Sequence, residues 1–93
     1  MSGENIEDTY YSMQNFRQLL IQFNDSLRSS VSQLEAQHDN VSPLWQDQWR
    51  KDYDAIWLPF EETMKQYLSS GGPNYVEFLN LKSEAMRRYL FGD

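Results

Sequence analysis

The chain of 93 residues contains no cysteine. This absence excludes disulfides, thiolate metal sites and cysteine nucleophiles, and it fits a bacterial protein or a reducing compartment. Long hydrophobic runs are also missing, because the longest apolar stretches are three or four residues, as at 19–21. No segment is therefore expected to span a membrane. The first nine residues lack the basic flank and apolar core of a secretory signal, so we expect a cytoplasmic protein or one exported without a signal peptide.

Basic residues are scarce. Lys and Arg number 8 against 14 Asp and Glu, which gives a net charge of −6. Binding to nucleic acid requires Lys and Arg to neutralise phosphates, and binding to an anionic membrane requires a basic surface. We therefore expect neither nucleic acid nor a membrane as a partner.

Residues that commonly carry catalysis are scarce too. His38 is the only histidine, and although Glu35 stands three residues before it, a helical di-iron site needs two such Glu-x-x-His motifs. Asp47, Asp52 and Asp54 have spacings that do not place them on one helix face. We interpret His38 as an exposed turn residue and expect a protein that is not an enzyme and has no metal and no cofactor. A small helical enzyme would need a convergent polar pocket, which no sequence feature demands.

What the chain does have is an aromatic content of 15 % and a seven-residue apolar repeat in its first half. Aromatic side chains are enriched in cores and at interface hot spots. A period of seven on a helix of about 3.6 residues per turn is typical of a coiled-coil seam. It predicts helix 1 over about 6–37, followed by a turn over 38–43. The repeat consists of Ile6, Met13, Leu20, Leu27, Leu34 and Val41, with Phe16 and Phe23 beside it.

The centre of the chain predicts the start of a second helix. Ser42 is a favourable N-cap and Pro43 a favourable first residue, so helix 2 is predicted over about 44–69. Trp57 widens the apolar stripe of this helix, and a stripe that is too wide is usually buried against a partner. The main stripe is Trp45, Trp49, Tyr53, Ile56, Phe60, Met64 and Tyr67 or Leu68.

A Ser-Ser-Gly-Gly-Pro sequence at 69–73 predicts the end of helix 2. Asn74 and Glu77 form a capping pattern, so helix 3 is predicted over about 74–91. Its stripe is Tyr75, Phe78, Leu79, Lys82, Ala85 or Met86, and Tyr89.

These patterns together predict an all-α fold, a single helical domain over 1–93. An antiparallel helical hairpin of two long helices is followed by a C-terminal helix after the Gly-Gly-Pro break. A lone hairpin leaves one side of each seam open. We therefore expect a four-helix-bundle-like dimer with a second copy of the chain or with a paralogue.

Two short motifs resemble those of a known family. Trp45-Gln46-Asp47 is similar to a Trp-x-Gly turn, with Asp47 in place of glycine, and the tail from Tyr89 to Asp93 matches Tyr-x-x-x-(Asp/Glu). With its length and its amphipathic helices, the chain resembles the WXG (Trp-x-Gly, early-secreted-antigen-like) family. These are small helical-hairpin proteins associated with type VII secretion, and this chain looks like a divergent branch with Trp-x-Asp.

The resemblance implies a bacterial secretion substrate, adaptor or chaperone for a larger effector, with that effector or a secretion ATPase as partner. The candidate partner-binding residues at the turn are Trp45, Asp47, Trp49 and Trp57, and those of the tail motif are Tyr89 and Asp93. The charge leaves an alternative open. A cytoplasmic helical regulator, such as a toxin-neutralising or defence-system subunit, would use a net charge of −6 to mask a basic surface.

Overall fold

The computed structural model describes residues 5–92, which form one long helical hairpin. The first arm is helix α1, Asn5–Val41, and a 3₁₀ turn, Ser42–Leu44, follows it. The second arm consists of helix α2, Arg50–Gln66, a π-helical turn, Tyr67–Gly71, and helix α3, Gly72–Phe91. The described part of the chain contains no strand, so the predicted all-α fold with two long helices is confirmed. Within that part, no helix is long and apolar enough to cross a bilayer.

The hairpin is thin and elongated. Its principal extents are 63 × 21 × 17 Å and its radius of gyration is 20.0 Å, whereas a compact domain of this length has a radius of about 12 Å. Its accessible surface is 6853 Å², which is roughly 1,200 Å² more than a compact monomer of the same mass exposes. Much of the surface that a globular domain would bury is therefore accessible.

The turn lies later in the chain than the sequence predicted. Helix α1 continues to Val41 rather than ending near 37, and α2 begins at Arg50 rather than near 44. Ser42 does not cap a helix, because its carbonyl and hydroxyl accept hydrogen bonds from the Arg50 guanidinium at 2.6 and 2.7 Å. Arg50 thus holds residues 42–49 in a compact loop, outside the helix that Ser42 and Pro43 were expected to start.

The predicted break at 69–73 is wrong, because the second arm stays helical across it. Gly71 and Gly72 both have right-handed helical backbone angles, with φ values of −58° and −64°. The helix expected from Asn74 begins at Gly72 and continues the second arm instead of forming a separate element.

Pro73 explains why this stretch is π-helical rather than α-helical. Proline has no N–H group, and its ring clashes with the carbonyl four residues earlier in an α-helix. A π turn pairs residues five apart, so the carbonyl left without a backbone donor is that of Leu68. Arg28 on α1 supplies the missing donor, since its Nη2 lies 3.4 Å from the Leu68 oxygen. The first arm therefore compensates for the proline in the second.

The π turn inserts one residue into the buried stripe of the second arm. From Trp57, steps of seven lead to positions 64, 71 and 78, but the structure buries Gly72 and Leu79. Leu79 was predicted to face inward. The aromatic residues predicted to share its stripe are instead exposed by 42, 53 and 73 %, namely Tyr75, Phe78 and Tyr89.

The seam between the arms is polar for much of its length. Its centre on α1 is a second set of residues spaced by seven, of which Val31 is the most deeply buried. Tyr67 donates a hydrogen bond to Asn24 Oδ1 at 2.6 Å, and the rings of Tyr10 and Phe91 lie 5.8 Å apart. The full set is Tyr10, Arg17, Asn24, Val31 and His38.

The predicted apolar repeat of α1 lies beside this centre rather than on it. Its first four members are half-buried, and its last two, Leu34 and Val41, are exposed. A single hairpin therefore leaves uncovered much of the apolar surface that the repeat provides. The buried hydrophobic residues of the described chain are Val31, Trp57, Leu68 and Leu79, and each retains some exposed surface.

Candidate functional site

The turn motif Trp45-Gln46-Asp47 forms a loop that is bonded to itself. Asp47 Oδ1 accepts hydrogen bonds from the Trp45 indole at 2.7 Å and from the Trp49 backbone N–H at 3.0 Å. The Asp47 carbonyl accepts a further bond from the backbone of Arg50 at 3.1 Å. Asp47 therefore positions the start of the second arm, a role that needs a side-chain oxygen and that glycine could not fill.

Arg50 closes the same loop from the side of α2. Besides its bonds to Ser42, its Nη1 donates to the Trp45 carbonyl at 3.0 Å, and its Nε donates to both carboxylate oxygens of Asp54 at 3.0 and 3.1 Å. Charge-assisted bonds of this kind are stronger than neutral ones. The polar groups of the turn are thus largely bonded within the chain.

Trp57 and His38 form a stack near the turn. The His38 ring lies 4.7 Å from Trp57 and 5.5 Å from Tyr53, and its Nδ1 is hydrogen-bonded to the Tyr53 hydroxyl at 2.6 Å. Trp57 is only 9 % exposed, and His38 is half-buried. Trp57, which was predicted to widen the apolar stripe toward a partner, is buried within the hairpin. The prediction of an exposed turn histidine is wrong, because α1 continues past 37 and brings His38 onto α2.

The other predicted residues are spread over both ends of the hairpin. Trp45 is half-buried against Tyr53, with ring centres 4.7 Å apart, whereas Trp49 is exposed because it precedes α2. Tyr89 is exposed on the last turns of α3, at the opposite end of the hairpin. Asp93 lies outside the described residues.

A row of aromatic residues that the sequence analysis did not identify runs along the middle of the hairpin. The ring of Phe16 lies 5.9 Å from Tyr75 and that of Phe23 lies 6.4 Å from Tyr67, so these contacts join the two arms on one side of the seam. Helical periodicity places two further rings on this side. We call the set the aromatic face: Phe16, Phe23, Phe60, Tyr67, Tyr75 and Phe78.

Five of these six rings are between 40 and 54 % exposed. A sequence signal for the face exists, because Phe60 and Tyr67 are seven residues apart and Tyr75 follows after eight. The extra residue is the one that the π turn inserts. An uninterrupted repeat of seven does not find this row.

The aromatic face is surrounded by uncharged residues. On α1, the positions beside Phe16 and Phe23 carry no charge between residues 12 and 41, since the charged residues of that stretch fall on the seam or beyond it. Lys82 is the charged residue that contacts the face, with its Nζ 5.6 Å from the centre of the Phe78 ring. Exposed aromatic rings with few charges among them are typical of the core of a protein interface.

The opposite side of the seam has a different character. There five charged residues line a groove of about 800 Å³ together with polar and apolar side chains. In this groove Lys65 Nζ binds Glu35 at 3.0 Å and Glu61 at 3.6 Å. The hydrogen bond to Glu35 raises the pKa of Lys65, and the same bond lowers the pKa of Glu35. We call this side the charged face: Arg28, Glu35, Glu61, Glu62 and Lys65.

Among residues 5–92, no group of three or more His, Asp or Glu side chains is placed to hold a metal ion. Glu35 and His38, which share the Glu-x-x-His spacing, contact Lys65 and Tyr53 respectively. Comparisons with protein-family models, with curated proteins and with solved structures found no match to the chain.

Proposed function

We propose that this protein is a non-enzymatic protein-interaction module whose aromatic face docks onto a second helical hairpin. The observation that carries this proposal is the row of half-exposed rings that crosses both arms and has Lys82 as its contacting charge. Aromatic side chains bury large areas and act as interface anchors. Leaving such a row in water is unfavourable, and a second apolar surface would remove that cost.

The amount of exposed surface supports a partner of substantial size. The hairpin exposes 6853 Å², roughly 1,200 Å² above the value for a compact monomer. A stable protein interface of standard size buries about 800 Å² on each partner. Covering the aromatic face with one such interface would therefore bring the exposed surface close to that of an ordinary globular protein.

The partner that suits this face best is a second copy of the chain, or a paralogue with the same fold. Met13, Leu20 and Leu27 are half-buried and lie on α1 at the edge of the aromatic face. Their spacing of seven suits packing against another helix pair. Two hairpins joined in this way form a four-helix-bundle-like dimer.

The biological role within this proposal is that of a WXG-like secretion substrate, adaptor or chaperone for a larger effector. Its support is the hairpin of two long helices, the Trp-x-Asp loop between them and the exposed Tyr89 near the other end. A secretion ATPase or a large toxin encoded beside this protein would favour this role.

A second candidate function is a cytoplasmic regulator that neutralises a basic protein, such as a toxin or a component of a defence system. The charged face favours it, because Glu35, Glu61 and Glu62 line one groove in a chain with a net charge of −6. Such a surface complements a basic partner. The two candidates therefore use different faces of the hairpin, and a lone basic toxin or nuclease encoded nearby would favour the second.

Sedimentation of two matched variants tests which face binds. Phe23→Glu places a charge on the aromatic face, and Ser32→Glu places the same charge on the other side of α1. We expect the wild-type chain and Ser32→Glu to be dimers at micromolar concentration. Phe23→Glu should weaken the dimer about 100-fold or more, because a charge would be buried in the interface.

Circular dichroism of each variant shows whether the helices are intact, so that a loss of the dimer is not confused with unfolding. A wild-type chain that is a monomer and melts cooperatively contradicts self-association. A dimer that is weakened by Ser32→Glu as much as by Phe23→Glu places the interface on the charged face instead.

A further inference from the structure

A second cavity, of about 300 Å³, lies between α1 and α3 near the open end of the hairpin. It is lined from the first arm by Tyr10, Gln14 and Arg17, and from the second arm by Asn80, Ser83, Glu84 and Arg87. Helical periodicity places it on the side of the seam away from the aromatic face. What it binds is therefore independent of the dimer proposed above.

Two buried polar atoms at this cavity have no hydrogen-bond partner. Ser83 is only 7 % exposed and its Oγ is unpaired, and Gln14 Oε1 is buried and unpaired as well. Buried hydroxyl and amide oxygens are nearly always bonded, because leaving one unpaired destabilises the fold. The other such atom in the described chain, Trp57 Nε1, belongs to the stack near the turn. Two of the three unpaired buried atoms therefore belong to residues that line one cavity, where a bound ligand could form hydrogen bonds with both.

Arg17 adds a positive charge that lacks an anion. It is half-buried at the centre of the seam, and within residues 5–92 it forms no hydrogen bond or ion pair, whereas Arg28 and Arg50 both have partners. The planar guanidinium presents a pair of donors that matches a carboxylate. Glu84, which also lines the cavity, is already held by Arg87 at 2.6 Å.

We propose that this cavity binds the carboxylate of an N-acylated amino acid, the group found at the C-terminus of a polypeptide. The carboxylate oxygens would accept hydrogen bonds from Arg17 and from the Ser83 hydroxyl, and the adjacent amide N–H would donate to Gln14 Oε1. One ligand would then satisfy all three unpaired groups. A singly charged carboxylate suits the cavity better than a phosphate, since Glu84 pairs with Arg87 and leaves the single charge of Arg17, and Gln14 Oε1 is a neutral acceptor.

A nuclear magnetic resonance titration of the full chain tests this assignment with three matched probes. N-acetylalanine carries both the carboxylate and the amide N–H, its C-terminal amide lacks the charge, and acetate lacks the N–H. We expect saturable shifts of the Gln14, Arg17 and Ser83 backbone signals with N-acetylalanine, weaker binding of acetate, and none of the amide. If a tripeptide with a free C-terminus binds at least as tightly as N-acetylalanine, the natural ligand is the C-terminus of a polypeptide. If the tripeptide does not bind, the natural ligand is a small molecule.

Two variants separate ligand binding from folding. Arg17→Gln should weaken N-acetylalanine about tenfold or more, the usual effect of losing a charge-assisted bond. Ser83→Ala should also weaken binding, yet it should raise the melting temperature of the unliganded chain, because it removes an unpaired buried hydroxyl. Lys51→Gln, which removes the same charge from an exposed position on α2, is the control and should leave binding unchanged. The proposal is overturned if N-acetylalanine causes no saturable shift, if its amide binds equally well, or if Arg17→Gln binds like the wild-type chain.

Discussion

The two sides of the hairpin differ in how far their side chains are paired or covered within the chain. On the charged face, Lys65 lies between Glu35 and Glu61, so its charge is paired within the chain. On the aromatic face, ring contacts join the arms, but rings such as Phe23 and Phe78 remain about half-exposed. The ionic groups of the charged face are therefore paired within the chain, whereas the rings of the aromatic face are only partly covered by it. This difference is the basis of our proposal that the aromatic face binds the partner.

The contrast between the faces is determined at one point, the π turn. Tyr67 donates to Asn24 Oδ1 at 2.6 Å, and a Cβ atom on Gly72 would come within 3.0 Å of the Tyr67 ring and 3.1 Å of Asn24 Nδ2. A single buried polar pair can fix the register of two helices. With one residue fewer at this point, α3 would rotate by about 100° and turn Phe78 toward the seam. The aromatic face exists because this junction holds the inserted residue in place.

The largest effect on stability should come from disturbing that junction. Gly72→Ala improves helix propensity, but its methyl group would press on two side chains that are bonded to each other. We expect a net loss of about 1–3 kcal/mol in the free energy of unfolding, measured by urea denaturation.

Gly71→Ala is the matched control, because Gly71 is exposed and only the Tyr67 ring, at 3.3 Å, lies near its added Cβ. This variant should be between neutral and about 1 kcal/mol more stable than the wild-type chain, since alanine is the better helix former. Equal losses in both variants would show that the approach of Gly72 to Asn24 does not control the register.

The two long helices could be predicted from the sequence, but the faces of the second arm could not. The repeat of α1 and the steps of three and four along α2 depend only on neighbouring residues, so they predict helices directly. The orientation of Tyr75, Phe78 and Tyr89 depends on the inserted residue of the π turn. That residue is tolerated because Arg28, on the other arm, supplies the bond that Pro73 cannot make. A contact between distant residues leaves no local pattern in the sequence.

The same reason explains why the sequence misplaced the turn and did not reveal the aromatic face. Ser42 and Pro43 form a strong local start signal, but the Arg50 guanidinium takes the Ser42 oxygens and delays the second helix. The aromatic face combines Phe16 and Phe23 of one arm with residues of the other. Its existence follows from how the arms are aligned, which neither half of the sequence specifies alone.

The polar groups of the turn, like those of the charged face, are bonded within the chain. Substitutions in the turn should therefore lower the stability by a smaller amount and leave the proposed dimer unchanged. Asp47→Ala removes the acceptor used by the Trp45 indole and the Trp49 amide, so we expect a loss of about 1 kcal/mol in the free energy of unfolding. Asp47→Asn keeps a side-chain oxygen and should lose only a few tenths of a kcal/mol. Both variants should dimerise like the wild-type chain in sedimentation experiments. A weaker dimer at unchanged stability would instead make the turn part of the interface.

The smallest expected effect is on the free energy of unfolding when a change of pH breaks the ion pairs. It compares the charged groups with the aromatic face. The hydrogen bond with Lys65 lowers the pKa of Glu35, and that with Arg87 lowers the pKa of Glu84. A carboxyl group with a lowered pKa contributes stability that is present above its ordinary value of 4.5 and is lost as pH falls through the folded-state pKa. Lys65 has a raised pKa, so its contribution is present below 10.5 and is lost as pH rises through the folded-state pKa.

The midpoint of urea denaturation should therefore stay constant between about pH 4.5 and pH 10.5. It should decrease slightly at lower and at higher pH. The decrease should be small because these groups are solvent-exposed, and added NaCl should reduce it further. The dimer should respond differently, since an interface built mainly from aromatic rings, with Lys82 at one side, depends little on ion pairs that salt would screen. Sedimentation at neutral pH in low and high NaCl measures this directly. A dimer that dissociates as NaCl rises would place the partner on the charged face and favour the regulator over the WXG-like adaptor.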